Sequence, residues 1–247
     1  LITIFLPAFN EAVALPRVVR KFAECLTGLG EPHQFVVLDD GSSDETASVA
    51  TELSNRYPIE LLRHPINLGL GATLRDGIEH LARITNDEDL VVMLDCDDTH
   101  EAEFLPAAIK KIREGYDAVL LSRFCAGGSS GNLEPMKKIL SMGAGIFLKI
   151  FFPIKGVKEY SCCYRVFRAP ILKKGVEVFG KDFIRLPHMG FVAAPEILVR
   201  LRMLNARITE SPFTLRYEQK PGKSKNQPLR SIAGYFALVI LYFGKRA

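Results

Sequence analysis

The sequence predicts an α/β fold with a mainly parallel central sheet flanked by helices. Two unbroken apolar runs argue for it, Phe35-Val36-Val37-Leu38 and Leu90-Val91-Val92-Met93-Leu94, each closed by polar turn residues. Runs of this kind read as strands buried on both faces, the condition of a parallel sheet. The third observation is alternation: stretches of helical length separate the strands, and such units connect in a right-handed sense within one sheet. In chain order, strands are expected at 2–7, 34–39, 59–63, 90–95 and 117–122, and helices at 11–27, 44–55, 71–84 and 102–114. Asp44 or Ser43 is placed to cap the second helix, and Gly69-Leu70-Gly71 reads as the turn that starts the third.

Beyond residue 122 the pattern changes. Gly127-Gly128-Ser129-Ser130-Gly131 reads as a flexible break. Residues 135–152 read as a helix whose broad apolar face is formed by Ile139, Leu140, Gly143, Ile146, Phe147, Ile150 and Phe151, with Lys138, Ser141 and Lys149 on a narrow polar strip. Residues 190–204 read as another helix. Lys220 to Arg230 is a basic loop with two prolines, whose Lys220, Lys223, Lys225 and Arg230 bury with difficulty and are expected to be mobile. Ile232 to Phe243 is almost wholly apolar yet shorter than the roughly 18 to 20 residues of a membrane-spanning helix. The organisation expected is one domain over residues 1–228, followed by an apolar helix at 229–247 that is interfacial or begins a membrane segment.

Composition narrows the functional classes. The chain has 247 residues, enough for one large α/β domain, and its 48% apolar content suffices for a core without disulfide or metal staples. A net charge of +4 suits an anionic ligand or an anionic membrane surface and is too weak to argue nucleic acid. The five cysteines, Cys25, Cys96, Cys125, Cys162 and Cys163, lack C-x-x-C spacing, which fits a reducing compartment and argues against a zinc site. No signal peptide is visible, and the chain opens on a strand without an initiator Met, which reads as a trimmed segment.

Two acidic motifs follow the two apolar runs: Asp39-Asp40-Gly41-Ser42-Ser43-Asp44 and Asp95-Cys96-Asp97-Asp98-Thr99-His100. In open α/β sheets, ligands bind beyond the carboxyl ends of the strands, so carboxylates from two strands can converge on one ligand. Asp-x-Asp at a strand end suits a divalent cation that also holds phosphate oxygens. An acidic residue at a strand end can also merely cap a turn; two such clusters at two strand ends favour the ligand. A phosphorylated receiver domain would place its acidic pair after the first strand and a Lys after the fifth, whereas here the pair follows the second strand and the fifth ends at Ser122-Arg123. The G-x-G-x-x-G of nicotinamide binding and the phosphate-cradling P-loop are both absent. His100 lies beside the acidic motif. His33, His64, His80 and His188 are assigned to surfaces or loops, and Cys162-Cys163 to a small buried pair.

In this order and spacing, Ile4-Phe5-Leu6-Pro7-Ala8-Phe9-Asn10-Glu11, Val37 to Asp44, Asn67-Leu68-Gly69-Leu70-Gly71-Ala72 and Asp95 to His100 resemble glycosyltransferase family 2. Leu121-Ser122-Arg123-Phe124, Lys137 to Ala144, Glu159 to Arg165 and Gly222 to Lys225 resemble its dolichol-phosphate mannose synthase branch and bacterial polyprenyl-phosphate relatives. The resemblance implies a GT-A fold, a nucleotide-sugar donor, a Mg2+ or Mn2+ ion and inversion at the anomeric carbon. It implies that Pro7, Ala8, Phe9, Glu11, Asp39 and Asp40 hold the nucleoside, with Asp95 and Cys96 beside the donor. Asp95, Asp97 and Thr99 would meet the ion, Thr99 standing where relatives often have Gln. Arg123, Lys137 and Ser141 fall where relatives bind acceptor and donor phosphates, Lys137 often being Arg there. Lys220 and Lys225 fall in the loop that closes over the donor. Glu159 replaces a usual Asp and Cys163 a usual Gly.

The expected reaction is transfer of a hexose, mannose from GDP-mannose as first guess, to a polyprenyl or dolichyl phosphate, with Asp97, Arg123 and Lys137 as the catalytic set. A lipid phosphate is already anionic and needs only positioning, whereas a sugar hydroxyl must lose its proton to a base. The basic residues at the acceptor positions, and the absence of Trp and of the Q-x-x-R-W motif of processive synthases, favour phosphate. Glu196 is the fallback base, with a buried or capping role as its alternative. UDP-sugar-dependent transfer to the same lipid, transfer to a sugar or protein hydroxyl, and a non-catalytic nucleotide-sugar-binding subunit remain open at this stage. The 135–152 helix and the C-terminal apolar segment are expected either in a membrane interface or packed on each other as core. The expected location is the cytoplasmic face of a membrane, peripheral or anchored by segments beyond these residues.

Overall fold

The computed structural model describes residues 1–221 and 228–245. A sheet of seven strands, in the order β3-β2-β1-β4-β6-β5-β7, forms the middle layer. Five strands fall where the apolar runs put them: β1 (Ile2–Ala8), β2 (His33–Asp39), β3 (Ile59–Arg63), β4 (Leu90–Met93) and β5 (Ala118–Ser122). Two were not expected. β6 (Arg165–Arg168) runs antiparallel between β4 and β5, and β7 (Ile208–Pro212) pairs parallel with β5 at the edge. β6 has four residues with Arg at both ends, and β7 reads Ile-Thr-Glu-Ser-Pro, so neither carries the Val- and Leu-rich run that marks the others.

Successive residues of a strand face opposite sides, and here both sides are covered. Ile4, Leu6, Phe35, Val37 and Val92 enter a core under α1 (Leu15–Gly28) and α4 (Leu105–Arg113). Phe5, Val36, Leu38, Val91 and Met93 enter a second core under α3 (Leu70–Ile84), α6 (Ala169–Phe179) and α7 (Ala193–Met203). Two-sided burial is why these strands read as continuous apolar runs. α2 (Thr46–Leu53) lies outside β2 and β3, and α5 (Pro135–Phe151) and α8 (Pro228–Tyr242) lie against each other at one end of the molecule.

The chain steps outward from β1 through β2 to β3, then returns to place β4 on the other side of β1. That reversal opens a crevice beyond the carboxyl ends of β1 and β4, the usual ligand position in open α/β sheets. Two corrections concern its surroundings. The first helix starts at Leu15, not at 11, with Pro16 in its first turn, and the freed residues 9–14 become a loop at the crevice. The 127–131 segment is no flexible break: Ser129 N donates to Phe213 O (2.9 Å) and Leu215 N to Ser129 O (3.0 Å), stitching it to the chain after β7.

α5 buries only Leu148 fully, and α8 covers part of its flank, with ring centroids 5.2 Å apart for Phe147–Phe236 and 5.5 Å for Phe151–Phe243. α8 is also fastened to the domain. Phe191 N donates to Ser231 Oγ (3.2 Å), and the Tyr242 hydroxyl donates to Glu196 Oε1 (2.5 Å). The outer faces remain apolar and exposed: Met136, Ile139, Leu140, Met142, Ile146 and Ile150 on α5, and Leu229, Ile232, Phe236 and Ile240 on α8. The two segments pack on each other along one flank and leave an apolar outer surface exposed. No described helix is long and apolar enough to cross a membrane.

Gly71, in the first turn of α3, permits a close approach of backbone to backbone. A Cβ there would lie 2.3 Å from Pro187 O and 2.7 Å from its Cα. Backbone cannot rotate away as a side chain can, so Gly71→Ala should destabilise the fold by about 1–3 kcal/mol. Urea unfolding checks this, with a lowered midpoint and an unchanged m-value expected. An unaltered midpoint would show that the loop at Pro187 yields freely.

Candidate active site

The crevice floor is built by lacing two loops together. Asn10, at φ 53°, receives Ser43 N on its Oδ1 (2.9 Å) and donates its own N–H to Ser42 Oγ (2.9 Å). Asn adopts this left-handed region more readily than most residues. Glu11 N donates to Thr46 Oγ1 (2.8 Å), and Asp40 N to Ala8 O (2.8 Å). Asp44, not Ser43, meets the start of α2, where its Oδ1 accepts Thr46 N (3.0 Å). Pro7 and Ala8 are buried at the end of β1, and Phe9 is half-buried in the loop.

Asp39 and Asp40 are committed to the protein itself. Asp39 is wholly buried, with Oδ1 accepting Ser42 N (3.1 Å) and Oδ2 meeting Arg63 Nε (3.2 Å). Asp40 Oδ1 accepts Leu68 N (2.9 Å), and its Oδ2 accepts Gly69 N (2.8 Å). His64 Nδ1 lies 2.7 Å from Asp40 Oδ1 and His64 Nε2 3.3 Å from Asp76 Oδ2. His64, assigned by sequence to a surface or loop, is therefore a bridge between the second acidic position and α3. The surface offered to a ligand here is a cleft of about 370 Å3 lined by Gly41, Ser42, Arg63, His64 and Pro65.

The second acidic loop divides its carboxylates by partner. Asp98, at φ 63° and 3% exposed, takes Lys21 Nζ on Oδ1 (3.0 Å) and Arg17 Nε near Oδ2 (3.0 Å). Arg17 and Lys21 were not singled out from sequence. Their four-residue spacing on an amphipathic helix was the available signal, because it puts both on one face. Asp95 is a third exposed, and Asp97 has Oδ1 accepting the Thr99 hydroxyl (2.7 Å). Thr99 is 2% exposed and serves to orient Asp97. Burial alone would raise the Asp97 carboxyl, but the Lys220 ammonium against its Oδ2 holds it below its ordinary value. The Cys96 side chain is buried in the core under α1 and α4, so only its backbone faces the crevice.

His100 is buried behind Asp95, stacked on Tyr164 at 5.1 Å. Burial pushes its pKa down, toward the neutral ring. Asp95 N donates to Nδ1 (3.3 Å), which leaves the ring proton on Nε2, facing Cys162 Sγ at 3.6 Å. Its role is to hold the acidic loop.

A basic cluster lies at the end of β5. Arg123 Nε donates to Glu159 Oε2 (2.7 Å) and Nη2 to Glu159 Oε1 (2.9 Å), with Ser141 Oγ (3.3 Å) and Ser161 Oγ (3.1 Å) also within reach of Nη2. The longer Glu159 also accepts Ser161 N and Cys162 N, each at 3.1 Å. Lys137, one turn before Ser141 on α5, is 40% exposed, 3.2 Å from Glu134 Oε1 and 5.0 Å above the Tyr217 ring. The structure thus joins Arg123 to Ser141 directly and sets Lys137 at the mouth. Lys220 meets Asp97, and Lys225 lies outside the described residues, as does most of the 220–230 loop.

Glu196 is not at the crevice. It is wholly buried, accepting Arg185 N (2.9 Å), Leu186 N (3.0 Å) and the Tyr242 hydroxyl, so it clamps α8 and the 185–186 turn and cannot serve as a base.

The residues fit a hard divalent ion. Asp95 and Asp97 offer oxygen ligands at the reversal point, and a protein ammonium already stands against Asp97. No three His, Cys, Asp or Glu side chains among the described residues gather to hold an ion by themselves. A Mg2+ or Mn2+ ion held by one or two carboxylates completes its shell with water and substrate phosphate.

Residues 3–176 match the profile of "Glycosyl transferase family 2". The chain belongs to that family. It is 29% identical over 225 residues to the dolichol-phosphate mannosyltransferase of Pyrococcus furiosus, covering 91% of this chain and 58% of that one. It is 26% identical over 220 residues to a dolichyl-phosphate beta-glucosyltransferase of Trichomonas vaginalis, covering 85% and 64%. The chain therefore spans about three-fifths of the length of these relatives. Among solved structures, the fold matches a mannosyltransferase of Pyrobaculum calidifontis in complex with GDP-Man and Mn2+ (TM-score 0.61, 18% identity, 100% of this chain and 65% of that one). It also matches glucosyl-3-phosphoglycerate synthase of Mycobacterium tuberculosis (TM-score 0.63, 18% identity, 100% and 81%). The fold is GT-A.

The Arg123–Glu159 pair gives a test. Burial would raise the Glu159 carboxyl, but the Arg123 charge and the Arg123 and Ser161 hydrogen bonds hold it below its usual range. A depressed carboxyl stabilises the fold above its unfolded pKa, roughly 4.3, and that stability is lost as pH falls through the lower folded value. Glu159→Gln should cost about 3 kcal/mol near neutrality, because it leaves a buried guanidinium unpaired. The difference from wild type should shrink in acid. Urea titrations across pH check this; parallel stability curves would mean that the pair contributes nothing.

Proposed function

We propose that this chain transfers a hexose from a nucleotide sugar to a polyprenyl or dolichyl phosphate at a membrane surface, with inversion and with Mg2+ or Mn2+. One observation carries the reading. The Asp95–Asp97 crevice adjoins the Arg123–Ser141–Lys137 cluster, and the helix that supplies Ser141 and Lys137 has an exposed apolar outer face. An anion site beside an apolar helix face suits a phosphate that ends an apolar tail. The names of the curated relatives support this acceptor class.

In this reading Asp95 and Asp97 hold the ion, which supplies Lewis-acid neutralisation of the departing diphosphate. Gly41, Ser42, Arg63 and His64 face the nucleoside, on a floor that Asp39 and Asp40 keep in shape and that Pro7, Ala8, Phe9 and Glu11 border. Arg123 positions the acceptor phosphate. Its Nε and Nη2 are engaged with Glu159, Ser141 and Ser161, so Nη1 is the nitrogen that meets the phosphate. Lys137 adds a point charge at the mouth. A phosphate oxygen attacks the anomeric carbon from the face opposite the diphosphate, and no proton has to be removed. The commitment of Glu196 to Tyr242 and the 185–186 turn favours this over hydroxyl transfer, which would need a base. GDP-mannose is the first donor to try, and UDP-glucose the second.

Radiolabelled nucleotide sugar and a short polyprenyl phosphate provide the assay, with label followed into the organic phase. Asp97→Ala, and excess EDTA on wild type, should each abolish transfer. Lys137→Met, at an exposed position, should raise the acceptor KM about tenfold with little change in the donor KM, the loss of one charge-assisted contact. No organic-phase label from wild type with any GDP- or UDP-hexose would sink the lipid-phosphate reading.

The membrane surface is tested separately by flotation with vesicles containing anionic lipid. Ile139→Glu with Ile146→Glu on α5 should reduce binding at least about tenfold, since each buried aliphatic side chain contributes about 1.5–3 kcal/mol. Undiminished flotation would remove α5 from the contact.

A further inference from the structure

Residues 216–220 cross the acidic loop as a strap. Arg216 N donates to Thr99 O (3.0 Å), and Gln219 Oε1 accepts Lys21 Nζ (2.8 Å). Lys21 is itself held by Asp98 (3.0 Å) and Glu101 (3.1 Å). A short 3-10 turn, Tyr217–Gln219, keeps the strap compact, and Lys137 rests over Tyr217. None of these contacts uses the Lys220 side chain. That side chain reaches inward, 14% exposed, and sets its ammonium against Oδ2 of Asp97. The position of the Lys220 backbone is therefore fixed independently of where its ammonium goes.

We propose that Lys220 is a resident substitute for the divalent ion: it occupies Asp97 while the crevice is empty, gives the carboxylate up when the ion arrives, and passes to the donor diphosphate. The proposal rests on the reading that Asp97 holds the ion. Its physical basis is competition. A divalent ion bound by Asp97 and the Lys220 ammonium cannot share one carboxylate oxygen, because two like charges at contact distance repel. The four-carbon stem of Lys lets the charge swing while the strap stays fastened. A nucleoside diphosphate gives the displaced ammonium a new anionic partner. Ion and nucleotide then bind with positive coupling, and Lys220 adds to the coupling that the ion's direct contact with phosphate already supplies. Without nucleotide the ion must displace an ammonium that has nowhere equally good to go, so the free protein disfavours idle metal binding.

Coupling of this kind is reciprocal and measurable as affinity. The probe is Mn2+, with free ion read from its electron paramagnetic resonance signal, with and without saturating GDP, and with UDP in parallel. In wild type the better-binding nucleotide should tighten Mn2+ at least about tenfold. Lys220→Met should tighten Mn2+ in the nucleotide-free protein by about tenfold and shrink the nucleotide effect by about the same factor, leaving the part that direct ion–phosphate contact supplies. Lys220→Gln, which keeps a polar tip, guards against a folding defect of the first variant and should behave the same way. Unchanged or weaker Mn2+ affinity in the nucleotide-free variants would overturn the proposal. Asp97→Asn separates the two readings. If it leaves Mn2+ binding intact, the metal role of Asp97 has failed; if it weakens binding while the Lys220 variants do not tighten it, only the substitution role has failed.

Discussion

Burying a carboxylate is costly unless a cation or several hydrogen-bond donors meet it, and this fold gathers aspartates at the ends of β2 and β4, the two strands that flank β1. The arrangement of the crevice follows from how each is satisfied. Asp39 and Asp40 find backbone N–H groups, Arg63 and His64, and so become the framework of two loops. Asp98 finds Arg17 and Lys21 on α1, which pins the second acidic loop from below. Asp95 and Asp97 face the crevice, with the Lys220 ammonium against Asp97 among the described residues. Thr99 orients one oxygen of Asp97 and leaves the other to a lysine on a long flexible stem.

The same logic extends to the basic side. Arg123 is held almost dry by Glu159, and Glu159 in turn organises the N–H groups of Ser161 and Cys162. A guanidinium fixed in this way offers one remaining nitrogen with little freedom to lose, which suits a group meant to position an anion. Lys137 is the opposite case, exposed at the mouth and paired with Glu134 and Tyr217. The crevice thus has a buried cationic wall and an exposed cationic edge.

α5 and α8 connect this polar chemistry to an apolar exterior. α5 carries Ser141 inward and Ile139, Ile146 and Ile150 outward, so one helix serves both the crevice and the outer surface. α8 is tied down at Ser231 and Tyr242 and keeps its own apolar face exposed. The Glu196 carboxylate, by sequence a fallback base or a buried capping group, takes the buried role and fastens α8 in place.

The central strands were legible because burial on both faces writes itself into sequence as uninterrupted Val and Leu. The acidic motifs were legible for a similar reason: they follow those strands directly, so the sheet puts them at its carboxyl edge whatever the rest of the chain does. β6 and β7 left no such mark, since Arg165 is buried by hydrogen bonds to the carbonyls of Cys162, Ala194 and Tyr160, and β7 is a polar edge strand. Partnership was equally invisible. The sequence by itself determined which residues would stand at the strand ends and that the sheet would be mainly parallel, because apolar patterning and strand-end placement are local properties. Only the tertiary structure decided that Asp40 shapes a loop, that Asp97 meets Lys220, that His64 bridges two carboxylates and that Glu196 clamps a helix. Those roles depend on contacts between residues 10 to 123 positions apart in the chain, and the pairing of a buried charge is settled by what the fold brings beside it.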